Sequence, residues 1–219
     1  MAFAVIARCP RTSQIGGIVC ANVMASGARV LHCAHGIGAV LTQNRADARL
    51  GARGLDLLAA GHDAQQTIDT LVASTPHAHW RQLAVLDAGG KCAAFTGARC
   101  GPETSEAPAR DACALGSFLA SALVAPAMLR ALLADPALPL AERLMAALEA
   151  GLAAGGIRET PVSAALKVSA APGLPLVDLR IDDDPAPVAA LRALWGRFAP
   201  IAAEMLLRAT DPDNPAVQP

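Results

Sequence analysis

Cys33 stands between His32 and His35, and a histidine can draw a nearby cysteine into a thiolate, the form that attacks a carbonyl carbon. Alternate residues of a strand share a face, so Cys33 and His35 point one way and His32 the other. That spacing allows a Cys33–His35 dyad and makes a poor metal cluster. A free cysteine is also a common small core hydrophobe, and this plainer role is the favoured one. Thr42 and Gln43 close an apolar run beside Asn44, where polar groups either line a pocket or satisfy the turn. Thr96 and Cys100 pose the same choice. Ser163 heads a strand, where serine is also an ordinary turn residue. His77-Ala78-His79 has no carboxylate near it in sequence and reads as a solvated loop. Asp182-Asp183-Asp184 offers cation ligands, but carboxylates at a helix start favour the dipole, and capping is expected there. Gly36-x-Gly38 precedes a strand rather than a helix, so it is no dinucleotide fingerprint. The six cysteines lack any C-x-x-C pair, and neither a metal site nor a cofactor is expected.

The elements that must position these groups follow from periodicity. Ala2–Arg8 and Ile15–Cys20 are β-like runs joined by a Pro/polar turn, a hairpin. Ala28–Cys33 and Ile37–Thr42 read as a second pair of strands. Residues 47–60 and 63–74 carry apolar side chains at helical spacing, with Gly61 at a C-cap position and Asp63 as the next N-cap. Arg81–Asp87 and Lys91–Thr96 form a hairpin about Ala88-Gly89-Gly90. Residues 101–112 read as a loop. Helices are predicted over 117–133, with Ser117 as N-cap, and over 140–154. A last hairpin pairs Val162–Ser169 with Leu176–Ile181. Asp184-Pro185 launches a helix to about Arg208. Hairpins separated by helix pairs cannot build a doubly wound parallel sheet. They suit an α+β fold, a four-layer αββα sandwich of two stacked antiparallel sheets. Residues 1–209 are expected to form a single domain, and 210–219 a disordered tail.

Composition narrows the partners. Lys and Arg number 18 against 19 Asp and Glu, without a basic cluster, so neither nucleic acid nor an anionic membrane is an expected partner. The apolar run Ala2–Ala7 is too short for a membrane span and lacks the basic flank of a signal peptide. A cytoplasmic location is expected, with the cysteines as thiols. Aromatic residues make up only 3% of the chain and Tyr is absent, so Ala, Leu and Val must fill the core. The apolar faces of 117–133 and 188–207 predict a homo-oligomer.

Several motifs occur in a telling order. They are Ala7-Arg8-x-Pro10, Gly27-Ala28, Gly36-Ile37-Gly38-Ala39-Val40-Leu41-Thr42-Gln43, Gly51-Ala52-Arg53-Gly54-Leu55, and Trp80-Arg81-Gln82-Leu83-Ala84-Val85-Leu86-Asp87. Phe95-Thr96-Gly97-Ala98-Arg99-Cys100 and Asp178-Leu179-Arg180-Ile181-Asp182-Asp183 follow. Together they resemble the bacterial domain of unknown function 1028 family, which is Ntn-hydrolase-like, over about residues 2 to 195. The resemblance implies the αββα fold and leaves the reaction open. An Ntn enzyme uses a Thr, Ser or Cys at the mature N-terminus as nucleophile and its α-amine as general base, helped by an unperturbed pKa of about 7.7–8.0. In the family a Thr or Ser commonly follows the initiator Met; here that residue is Ala2, and Ala4, also often hydroxylated, is apolar too.

The resemblance favours pocket roles for Thr42 and Gln43, and similarly for Thr96 and Cys100. Gly116-Ser117 is the single Gly-Ser, Gly-Thr or Gly-Cys pair and so the one candidate for self-cleavage, but a helix cap is the simpler reading of Ser117. The expected function is an Ntn-hydrolase-like protein without its N-terminal nucleophile, either catalytically silent or binding a small molecule near Ala2. The alternative is an amidohydrolase acting on a small amide or peptide-like substrate through a different nucleophile.

Overall fold

A computed structural model describes residues 1–171 and 173–214. Its strands are β1 (Ala2–Arg8), β2 (Ile15–Ala21), β3 (Leu31–Ala34), β4 (Gly38–Asn44), β5 (Arg81–Asp87), β6 (Cys92–Thr96), β7 (Thr104–Ala109), β8 (Ala112–Ser117), β9 (Ser163–Ala170) and β10 (Leu174–Ile181). The helices are α1 (Gly27–Val30), α2 (Ala48–Ala59), α3 (Ala64–Ala73), α4 (Val124–Leu133), α5 (Leu140–Ala153), α6 (Pro187–Phe198) and α7 (Ala202–Thr210). Among the described residues the strands form two antiparallel sheets, one ordered β10-β9-β2-β1-β8-β7 and the other β3-β4-β5-β6.

β1 explains the arrangement. It is buried on both faces, and its alternate side chains join different clusters. Phe3, Val5 and Ala7 pack with Met128 of α4, Leu144 and Leu148 of α5, and Leu191 of α6. Ala2, Ala4 and Ile6 pack with Leu41 of β4 and Ala84 and Leu86 of β5, from the other sheet. The outer face of that sheet, through Val40, Leu83 and Val85, buries Leu50 and Leu58 of α2 and Ile68 and Leu71 of α3. Each such fully buried Leu, Ile or Phe contributes about 1.5–3 kcal/mol of transfer free energy. The α3 start carries the expected cap: the Asp63 carboxylate accepts from Gln66 N, and the Gln66 side chain accepts from Asp63 N, each at 3.0 Å.

Several expectations need correction. Residues 101–112, read as a loop, hold β7 and the start of β8. Ser117 ends β8 rather than capping a helix, and α4 begins at Val124. Gly27–Val30, assigned in part to a strand, is a helical turn before β3. The C-terminal helix starts at Pro187 rather than Pro185, with Asp184 Oδ1 accepting from Ala186 N at 2.7 Å. It also breaks at Ala199–Ile201, where Pro200 cannot donate and its ring crowds the preceding turn. α7 runs to Thr210, into the segment assigned to a tail; residues 215–219 of that tail lie outside the described residues.

Candidate functional site

Ala2 opens β1 with its methyl between the sheets and is 4% exposed. Its cross-strand neighbours are Ala21 of β2 and Ser117 of β8. Paired residues share a face, so the Ser117 hydroxyl stands beside the Ala2 methyl. Ser117 Oγ is fully buried and has no hydrogen-bond partner. Across the gap, β4 and β5 contribute two buried glutamines. Gln43 Nε2 donates to Gln82 Oε1 at 2.8 Å and, more weakly, to the Ala2 carbonyl at 3.5 Å, while Gln43 Oε1 is unpartnered. Gln82 Nε2 donates to Thr96 Oγ1 at 2.8 Å and to the Gly116 carbonyl at 3.0 Å, and Thr96 donates to Glu106. A polar network thus ties both sheets together around the opening residue, in a place where an unpaired group is expensive.

Beside it lies a small pocket of about 170 Å³, lined by Met1, Asn22, Asn44, Arg45, Trp80, Arg99 and Phe118. The Trp80 ring carries the Arg45 guanidinium 5.7 Å and the Arg99 guanidinium 5.3 Å from its centre. Neither guanidinium has a carboxylate partner among the described residues. Asn44 ends β4 at φ +70°, still paired with Arg81, and anchors Trp80 by donating from Nδ2 to its carbonyl at 2.8 Å. Phe118 also holds a positive φ, +56°, directly after Ser117. Its ring covers Gly101, where a Cβ would come within 2.7 Å of it. The Met1 α-amine is held below its ordinary pKa, chiefly by burial and then by Arg45, against an opposing pull from Glu159. Arg45 and Arg99 thus give this pocket two cations that no carboxylate pairs directly, offset in part by Glu159, which accepts from Asn22 on the pocket wall.

The residues singled out from sequence divide. Gln43 and Thr96 belong to the network. Thr42 faces the other way, where its Oγ1 accepts from Asp47 N at 3.3 Å ahead of α2. Cys100 is buried and donates to the Arg81 carbonyl at 3.1 Å. Ser163 donates to the Val23 carbonyl and shares a 2.7 Å bond with Ser26 Oγ, fastening the segment after β2 to β9. Cys33 and His35 are not hydrogen-bonded to one another. Burial pushes the Cys33 thiol up to about 12, in spite of Lys167, so it stays protonated at neutral pH. His35 lies beyond the end of β3; its backbone N donates to Ser169 Oγ at 3.1 Å, while its Nδ1 has no partner. His32 turns back to the Arg29 carbonyl at 3.3 Å. Among the described residues no group of three or more His, Cys, Asp or Glu is placed to hold a metal ion.

Sequence reasoning missed Gln82, and it missed Arg45, Trp80 and Arg99 as pocket walls. Gln82 did leave a signal: it is a polar residue in register with Ala84 and Leu86 on the face between the sheets.

Protein SPO2555 from Silicibacter pomeroyi, a crystal structure assigned to DUF1028, is similar over 90% of this chain and 85% of its own, at 30% identity and a TM-score of 0.84. Anbu (ancestral beta-subunit) from Yersinia bercovieri aligns over 92% of this chain and 97% of its own at 12% identity, with a TM-score of 0.39. No curated protein matches. The model of a family of unknown function, DUF1028, matches residues 2–191, and the chain belongs to that family.

Proposed function

We propose that this chain is a single-domain, four-layer αββα protein of the Ntn-hydrolase-like kind that is catalytically silent at its N-terminal strand and binds a small anionic molecule there. The observation that carries this reading is Ala2. It occupies the inter-sheet end of the central strand with a methyl group, which has no atom able to attack a carbonyl. The three buried clusters support the layered fold, since helices cover the outer face of each sheet. The two Trp80-stacked guanidinia and the half-buried amine support an anionic ligand, and the 170 Å³ pocket restricts it to a few heavy atoms. The six free thiols accord with a cytoplasmic protein. Exposed Leu123, Ile201 and Met205 support association of copies. Among the described residues no helix is long and apolar enough to cross a membrane.

The orphaned hydroxyl of Ser117 favours a second reading, an amidohydrolase whose nucleophile comes from β8. One experiment decides between the two. Wild type, A2T, C33A and S117A are incubated with a panel of small amides, and succinate, acetate and phosphate are titrated by calorimetry. The silent reading expects no wild-type turnover and carboxylate binding that R45M and R99M weaken. Wild-type hydrolysis overturns it; loss of that hydrolysis in S117A alone establishes the second reading, and loss in C33A the dyad.

A further inference from the structure

At the opposite end of β1, roughly 20 Å from Ala2 at the rise of a strand, the molecule has a second cavity that the reading above does not use. The β1–β2 turn, the β7–β8 turn and the connection between α4 and α5 enclose about 520 Å³, within the usual range for a small-molecule site. One side is apolar, built by Pro10, Leu133, Pro136 and Ala137. Leu133 is 45% exposed, an outlay of apolar surface that nothing in the chain covers among the described residues.

The other side is charged and unbalanced. Arg8 and Asp111 neutralise one another at 2.8 Å, and Arg110 also leans on Asp111, at 3.9 Å. Arg11 is fixed to the Ala137 carbonyl at 2.9 Å. Arg143, from α5, is only 5% exposed. Its Nε donates to the Leu132 carbonyl at 2.9 Å, which orients the guanidinium, but its two terminal nitrogens have neither a hydrogen bond nor a carboxylate among the described residues. Both nitrogens keep contact with the solvent of the cavity, where an anion can replace the water around them. Cys9, also on the cavity wall, reports the same field. Burial pushes its thiol up, yet hydrogen bonds from Thr12 and the turn backbone, with the Arg143 charge, bring it below the ordinary value.

We infer that this cavity binds a small amphiphile, an apolar chain with one anionic head. The Arg143 terminal nitrogens take the head, and Pro10, Leu133 and Pro136 take the chain. An oriented guanidinium forms the shorter, charge-assisted class of hydrogen bond with carboxylate or phosphate. The apolar wall excludes a bare inorganic ion as the preferred occupant, because the ion would leave that surface as wet as before.

Calorimetry with decanoate, decyl phosphate and neutral 1-decanol tests this on the full-length protein. Either anion is expected to bind at least about tenfold tighter than the alcohol, close to the worth of one charge-assisted contact, and the tighter of the two identifies the head group. R143M should bring the anion down to the affinity of 1-decanol without changing the alcohol itself. A137W, at an exposed loop position, should block all three. R45M, which alters the N-terminal pocket, should change none, so the two sites fail independently. Should R143M not fold, decanoate must still slow alkylation of wild-type Cys9 by iodoacetamide. Equal affinities for decanoate and 1-decanol, no binding of any probe, or binding that leaves Cys9 alkylation unchanged overturns the inference.

Discussion

If the Ser117 hydroxyl waits beside an empty position, restoring a hydroxyl at residue 2 should be felt by Ser117. Directly paired residues of adjacent antiparallel strands hold their Cβ atoms about 4.5–5.5 Å apart, so two hydroxyls there can close to hydrogen-bond length. The buried, unpartnered Ser117 Oγ carries a cost of about 1–3 kcal/mol, and a new bond contributes about 1 kcal/mol. A2T supplies the hydroxyl, while A2V has the same shape with a methyl in its place. Both overpack a closed site by about 1–3 kcal/mol, a penalty common to the two that cancels in their comparison. Urea unfolding of A2T, A2V and the same pair in an S117A background yields a double-mutant cycle. The preference for A2T over A2V should be about 1–2 kcal/mol greater with Ser117 present than without it. A coupling within about 0.3 kcal/mol of zero refutes the placement of the Ser117 hydroxyl against residue 2, and with it the second functional reading.

Two further outcomes are expected. Burial pushes the Cys20 thiol up to about 12, so it should resist disulfide reagents at pH 8 in the native protein. Below the ordinary thiol pKa, both folded and unfolded chains keep this proton. Between about 9 and about 12 only the unfolded chain releases it, so stability should fall with rising pH by about 1.4 kcal/mol per unit more in wild type than in C20A, read from urea unfolding; equal slopes contradict the burial. G51A puts a Cβ 2.1 Å from the His32 ring and should destabilise by about 1–3 kcal/mol. The loss should be recovered in the G51A/H32A double variant if that contact is the cause.

The sequence reveals features with local causes. The Asp63–Gln66 capping box, the turn at 88–90 and the unbroken apolar run of β1 rest on neighbours within a few residues. β7 was illegible because Thr104–Ala109 contains Glu and Pro, the marks of a loop. It is the edge strand of its sheet, where Pro108 removes no ladder bond that the sheet needs and charge discourages further pairing. β8 was hidden for the opposite reason. Ala112–Ser117 is buried on both faces and shows no alternation, so periodicity gives Cys113–Gly116 no element and leaves Ser117 to read as a helix cap. Thr42 and Gln43 were grouped although successive strand residues face opposite ways, and that rule alone separates a loop anchor from a site residue. The place of Ser117 beside Ala2 had no local signature at all.

The central position of β1 also has a kinetic side. Its first partner, β2, is a hairpin away, but its second pairs Ala2 with Ser117, 115 positions later, and β2 then waits for β9, pairing Ile15 with Ser169. As the chain emerges from a ribosome, the β1–β2 hairpin presents two bare apolar edges until more than half the protein has been made. Closing such long loops delays the ladder that rewards it, so folding of the larger sheet is governed by late, non-local encounters. During that interval a strand that will end buried on both faces lies open to pairing with a neighbouring nascent chain.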